Sequence, residues 1–200
     1  MIKNVVFDIG NVLMGFDAQN YGAMYFKDPS KAKILQNAIN SFKLWDKCDM
    51  GDRLVPEIID EFATTVVGQE DMARQACYDS LKFVLHRDWS IPWVKELKDA
   101  GYKVYFLSNY NRYLAEQKPE ILDFIPFMDG GVFSYEVHML KPNKDIYEKL
   151  FASYGLKAEE CVFLDDRVAN VEAGKALGMA GIVVENHEQA YNDLRKLLNY

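Results

Sequence analysis

The sequence predicts an α/β protein with a doubly wound parallel sheet and a helical block inserted after the first strand. Three observations predict it. Apolar runs of strand length stand at Val5-Val6-Phe7, Val104-Tyr105-Phe106-Leu107, Cys161-Val162-Phe163-Leu164 and Ile182-Val183-Val184. Runs of this kind fill strands buried on both faces. Segments of helical period separate the later runs, and such alternation implies parallel strands with helices on both faces, a Rossmann-like core. Between Asp17 and His86 the alternation stops, and the pattern is helical with no convincing strand. The expected division is a core of residues 1–16 and 87–200 and a helical cap of residues 17–86.

Each element has its own signals. The first strand ends on Asp8, and Gly10 and Asn11 follow, both tolerant of the positive φ of a sharp turn. In the inserted block, Ser30 is the expected cap of a helix carrying Ala32, Ile34, Leu35, Ala38, Ile39 and Phe42 at spacings of three and four. Leu44 to Asp52 reads as a helix end and turn, with Gly51 as terminator. Pro56 suits the first turn of a helix with Ile58, Ile59, Phe62 and Ala63. Met72 to Leu85 offers another helix. The aromatics Tyr21, Tyr25, Phe26, Phe42 and Trp45 are expected to pack as core rather than as a ligand cage.

Beyond Ile91 the units are regular. A helix over Pro92–Ala100 closes at Gly101, and a strand from Lys103 to Leu107 ends on Ser108-Asn109. A helix follows Arg112, then a short strand Gly131-Val132-Phe133 and a loop from Ser134 to Leu140. Lys141-Pro142 precedes a helix from Asp145 to Tyr154, stopped by Gly155. The Cys161 strand ends on Asp165-Asp166, and a helix from Val168 to Leu177 is stopped by Gly178. A last strand and an amphipathic helix from Glu188 to Leu198 close the chain. There are no internal repeats or low-complexity tracts.

Two hundred residues suit one domain or a core with a modest insertion, and 50% hydrophobic residues can build a core. The net charge of -7 argues against a nucleic-acid or anionic-membrane binder, which needs a basic face. Cys48, Cys77 and Cys161 are isolated, odd in number and without CxxC spacing. They read as small buried hydrophobes in a reducing compartment, not as a disulfide framework or zinc site. No run approaches the roughly 20 apolar residues of a membrane span, and the N-terminal run is short and carries Asp8, unlike a signal peptide. The expected location is the cytoplasm, the expected state a monomer or small homo-oligomer, with neither nucleic acid nor membrane as partner.

Three strand ends carry polar residues, and short right-handed connections put them along one sheet edge. That edge is where open α/β sheets place their chemistry. Asp8 and Asp166 (or Asp165) offer hard oxygen donors, with no His or Cys in the pattern, and this set suits Mg2+. Ser108 and the amides after it can donate to an anion, and Lys141 can meet phosphate charge. An Asp carboxylate can also act as nucleophile, splitting phosphoryl transfer into two steps. Taken singly, Ser108-Asn109 is also what a turn looks like, and Asp165-Asp166 what a helix cap looks like. The weight comes from their joint order at strand ends.

The runs Phe7-Asp8-Ile9-Gly10-Asn11-Val12-Leu13, Leu107-Ser108-Asn109, Lys141-Pro142 and Phe163-Leu164-Asp165-Asp166-Arg167-Val168-Ala169-Asn170 resemble the four motifs of the haloacid dehalogenase-like (HAD) hydrolase superfamily. The resemblance spans the chain nearly end to end, inserted cap included. Ser108-Asn109-Tyr110-Asn111-Arg112 and the first motif look closest to a bacterial subgroup of sugar-phosphate phosphatases, which includes an α-D-glucose-1-phosphate phosphatase. The resemblance implies a small phosphorylated metabolite as substrate. It implies Asp8 as nucleophile and Mg2+ ligand, the Gly10 carbonyl and Asp166 as further ligands, and Asp165 as a supporting carboxylate. It implies that Ser108 and Asn109 bind the transferring phosphoryl group, that Lys141 bridges it to Asp8, and that Asn170 supports the metal loop.

One position departs from the family. Its phosphatases usually carry Asp-x-Asp in the first motif, and the second Asp protonates the leaving group; here that position is Gly10. Asp17, His138 or a residue of the cap is left to supply the proton. Two further readings stand beside the phosphatase. A binding or regulatory protein on the same scaffold would follow from lost proton transfer at Gly10. A 2-haloacid dehalogenase also lacks the second Asp, but the Asp165-Asp166 pair argues for phosphoryl chemistry.

Overall fold

The computed structural model describes residues 1–25 and 28–199. Five parallel strands form the central sheet: β1 (Asn4–Phe7), β4 (Lys103–Ser108), β5 (Gly130–Phe133), β6 (Cys161–Asp165) and β7 (Ala180–Val183), in the order β5-β4-β1-β6-β7. β1 alternates as a two-sided strand must. Val5 and Phe7 enter one buried cluster, with Trp93, Val94 and Leu97 of α6 (Ser90–Asp99) and Ala190 and Leu194 of α11 (His187–Leu198). Val6 enters the other, with Ile146, Tyr147 and Leu150 of α9 (Lys144–Tyr154). Gly174 of α10 (Val168–Ala176) lies against Met179, Phe163 and Tyr147 on that second face. The sheet is therefore covered on both sides, as expected from its apolar runs.

The inserted segment folds into α1 (Ala18–Tyr25), α2 (Pro29–Phe42), α3 (Leu44–Met50), α4 (Val55–Thr64) and α5 (Glu70–Asp79). It has its own apolar cluster, in which Leu35, Leu44, Cys48, Ile58, Phe62 and Ala73 are fully buried. A neck joins it to the sheet: β2 (Gly15–Phe16) pairs antiparallel with β3 (Val84–Leu85), Gly15 opposite Leu85 and Phe16 opposite Val84. No strand is expected there from the sequence, because two residues are too few to show a period.

Other differences have local causes. Asp28, not Ser30, caps α2: its carboxylate accepts from the Ser30 amide and hydroxyl, and Pro29 sits in the first turn. The helix expected to reach Leu85 stops at Asp79, passes through a 3₁₀ turn at Ser80–Phe83, and becomes β3. Ser134–Val137, expected as loop, is a single helical turn, α8, too short for a periodic signal. After β1 only Asn11 takes the positive φ, at 56°, while Gly10 does not need its conformational freedom. Gly51, Gly101, Gly155 and Gly178 terminate helices at positive φ as expected. The three cysteines are free and buried. Of the expected core aromatics, Tyr21 and Tyr25 make ring contact with each other and Phe42 with Phe62, Trp45 is 41% exposed, and Phe26 lies outside the described residues.

Packing across the β4–β5 edge leaves no spare volume. A Cβ on Gly131 would overlap the Phe106 ring, itself held 4.5 Å from the Phe133 ring. Gly131→Ala is therefore expected to lower stability by about 1–3 kcal/mol, seen as an earlier denaturant midpoint with unchanged slope.

Candidate active site

The chain runs from β1 outward to β4 and β5, then crosses back to β6 and β7. That reversal opens a crevice at the carboxyl ends of β1 and β6, where such sheets bind ligands. Phe7 is in register with Phe106 on one side and Leu164 on the other, so Asp8 emerges between β4 and β6. Its amide donates to the Leu164 carbonyl at 2.8 Å, and its Oδ1 accepts from the Ile9 amide at 2.7 Å. The side chain is thus aimed before any ligand arrives.

Lys141 is 3% exposed and lies between two carboxylates. Its Nζ stands 2.9 Å from Asp8 Oδ1 and 2.6 Å from Asp165 Oδ2. The Asn109 side chain holds the Lys141 main chain: the Lys141 amide donates to Asn109 Oδ1 at 2.8 Å, and Asn109 Nδ2 donates to the Lys141 carbonyl at 3.1 Å. Asn109 is thereby joined to Lys141 through its side-chain amide. Ser108, fully buried, places its hydroxyl where it favours the ionised form of Asp8. Even so, burial pushes the Asp8 carboxyl up to about 6, with Lys141 opposing and Asp165 adding to the rise.

The two carboxylates at the end of β6 have different surroundings. Asp165 is fully buried and saturated: Oδ1 accepts from the Arg167 amide at 2.7 Å, and Asn170 Nδ2 reaches both oxygens at 3.0 and 2.9 Å. Tyr147 in turn donates to the Asn170 carbonyl at 2.8 Å, tying this network to α9. Asp166 is only partly buried, and Asn11 Nδ2 donates to its Oδ2 at 3.0 Å. Asp8, Asp165 and Asp166 each offer an oxygen within 4.8 Å of the others. Three carboxylates against one ammonium leave the cluster short of positive charge, and hard oxygen donors fit a divalent cation of the magnesium type.

Above this cluster lies a cavity of about 480 Å³ between the sheet edge and the helical block. Gly10, Asn11 and Asn109 form its floor, Tyr21, Trp45 and Ile59 are among its apolar walls, and Asp49 of α3 reaches into it. Among the described residues that line it there is no Lys or Arg.

The model of the haloacid dehalogenase-like hydrolases matches residues 2–178. The chain belongs to this family. It is similar to the sesquiterpene phosphatase astK of Aspergillus oryzae, 26% identical over 197 residues, with 98% of this chain and 96% of the relative covered. It is similar also to a D-ribitol-5-phosphate phosphatase of Bacteroides thetaiotaomicron, 24% identical over 207 residues and covering all of both chains. Among solved structures, a predicted HAD-like family hydrolase from Porphyromonas gingivalis superposes with a TM-score of 0.78 at 26% identity, over 100% of this chain and 99% of that one.

This HAD-like hydrolase brings Asp8, Ser108, Asn109, Lys141, Asp165, Asp166 and Asn170 to one sheet edge. Two residues expected as candidates for proton transfer are not among the described residues that line the cavity. Asp17 is partly exposed and binds Asn20, and His138 places Nδ1 3.0 Å from the Met50 carbonyl. Gly10 has room for a side chain, since a Cβ there would meet no atom within 4 Å. The residue not singled out from the sequence is Asp49. A carboxylate in the last turn of a helix opposes the helix dipole, and that misplacement is the signal that could have flagged it.

Proposed function

We propose that this HAD-like hydrolase is a magnesium-dependent phosphomonoesterase for a small phosphorylated metabolite, working through an aspartyl phosphate on Asp8. The observation that carries this is the cluster of Asp8, Lys141, Asp165 and Asp166 at the sheet's switch point. Asp8 attacks phosphorus, and the bond to the departing oxygen breaks; water then releases phosphate and restores the carboxylate. Ser108 and the amide that follows it receive the phosphoryl oxygens. Lys141 sits against Asp8 and lowers the repulsion between carboxylate and phosphate. Asn109 keeps the Lys141 backbone in place, and Asp165 with Asn170 keeps its ammonium in place.

The metal would be held by Asp8, the Gly10 carbonyl and Asp166; Asp165 is already saturated by its four hydrogen bonds. Bound there, the ion supplies positive charge to the attacking carboxylate and the phosphoryl group. The helical block, residues 17–86, would act as the cap that excludes water and limits substrate size. The cavity volume suits a small molecule. With no Lys or Arg on the described walls, a second phosphate would find no counter-charge, so monophosphates are favoured over diphosphates. Relatives named as phosphatases of a sesquiterpene and of ribitol-5-phosphate support the same chemistry on uncharged bodies.

The test is phosphate release from a panel of phosphorylated metabolites, with magnesium and with chelator. Release is expected with magnesium and its loss with chelator. Halide release that persists in chelator would favour a dehalogenase. Tight binding of a phosphate analogue with no turnover of any ester would favour a binding protein.

A further inference from the structure

Position 10 is open, yet carries no acid, and the cavity above it has one substitute. Among the described residues lining that cavity, Asp49 is the sole carboxylic acid. Its place is set by contacts between the helical block and the core. Gly51 ends α3 at φ 72°, and a Cβ there would overlap the backbone of Tyr135. Ser134 Oγ donates to the Asp49 carbonyl at 2.7 Å and accepts from the Tyr110 amide at 2.9 Å. His138 Nδ1 meets the Met50 carbonyl at 3.0 Å. The end of α3 is thus docked on α8, beside the loop that follows Ser108. The Asp49 side chain then turns into the cavity, where Asn111 Nδ2 donates to Oδ1 at 3.3 Å.

We propose that Asp49 is the general acid of this hydrolase, delivering from the helical block the proton that the side chain at position 10 cannot. This rests on the phosphatase reading above. As Asp8 Oδ bonds to phosphorus, the P–O bond of the ester breaks with its electron pair on the departing oxygen. That oxygen takes the proton of Asp49 and leaves as the alcohol. The Asp49 carboxylate then accepts a proton from the water that splits the aspartyl phosphate, returning to its starting state. Its surroundings suit an acid at neutral pH: burial pushes Asp49 up to about 7, Asn111 and Lys141 oppose this, and Asp46 and Asp8 reinforce it. Burial also moves the Cys77 thiol on the same wall to about 12, beyond use as an acid there.

A general acid matters only when the leaving group needs a proton. The experiment compares wild type with Asp49→Asn on two esters: the best alkyl monophosphate of the panel, and 2,4-dinitrophenyl phosphate, whose leaving group departs unprotonated. For the alkyl ester kcat is expected to fall about 10²–10⁴-fold. The first-turnover release of dinitrophenolate is expected to stay near the wild-type rate, which also shows that the variant is folded and binds. Equal losses on both esters would make Asp49 a structural residue, and no loss on the alkyl ester would make it idle; either overturns the proposal. Failure of the wild-type enzyme on both esters would sink the phosphatase reading itself.

Discussion

Asp8→Asn is expected to abolish turnover while leaving the fold intact. An amide oxygen is a poor nucleophile, so rapid acid quench should find no covalent phosphate on the protein, and kcat should fall by on the order of 10⁴-fold or more. Stability should move the other way. Burial raises the Asp8 carboxyl to about 6 from an ordinary value of 3.8. The folded state therefore holds that proton more tightly than the unfolded state does. Its contribution to stability is fully present below about 4 and is lost as pH rises through about 6. Asparagine stays neutral, so at pH 7.5 in chelator the variant should melt no lower than wild type. A variant that loses activity by unfolding would show the opposite, and wild-type turnover in Asp8→Asn would remove Asp8 from the chemistry.

Lys141→Met is expected to cost both activity and stability. The ammonium is buried between Asp8 and Asp165, at 2.9 and 2.6 Å. Removing one partner of a buried ion pair leaves uncompensated charge, at a cost of about 3–5 kcal/mol. The loss should appear as a lower denaturant midpoint at neutral pH. Neutralising Asp8 in the same chain, Lys141→Met with Asp8→Asn, should recover part of it, because the penalty comes from stranded negative charge and not from lost packing. If the double variant is no more stable than the single, the damage lies in packing around the lysine stem. Surface pairs such as Lys144 with Glu148, both largely exposed, should show no comparable effect.

The core was legible because its signals are periodic or local. Val5-Val6-Phe7 divides its side chains between two faces as a two-sided strand must, and Gly155 and Gly178 end helices where a left-handed residue was needed. The site was legible because β1 and β6 bring Asp8 and Asp165 to the same depth and β4 brings Ser108 one residue further along. What the sequence could not carry was contact across distance. Asn109 could be placed at the sheet edge beside Ser108, but not its two hydrogen bonds to the Lys141 backbone, 32 residues away. The β2–β3 neck was invisible because each strand has two residues, and pairing alone defines them. Asp49 was hidden because its position depends on Ser134, 85 residues further along the chain.

The neck has a consequence for how this molecule can vary. The chain leaves the core at Phe16 and returns at Val84, and these two residues face each other across one ladder, about 5 Å apart. The segment between them is thus a loop whose ends already meet, with an apolar interior of its own. Away from the end of α3, which packs on α8, length and composition inside it can change without shifting any strand of the central sheet. The block meets the sheet edge through two attachments, the neck and the contact of α3 with α8. Change elsewhere in the block can then alter the cavity walls while these two attachments keep Asp49 facing the cavity.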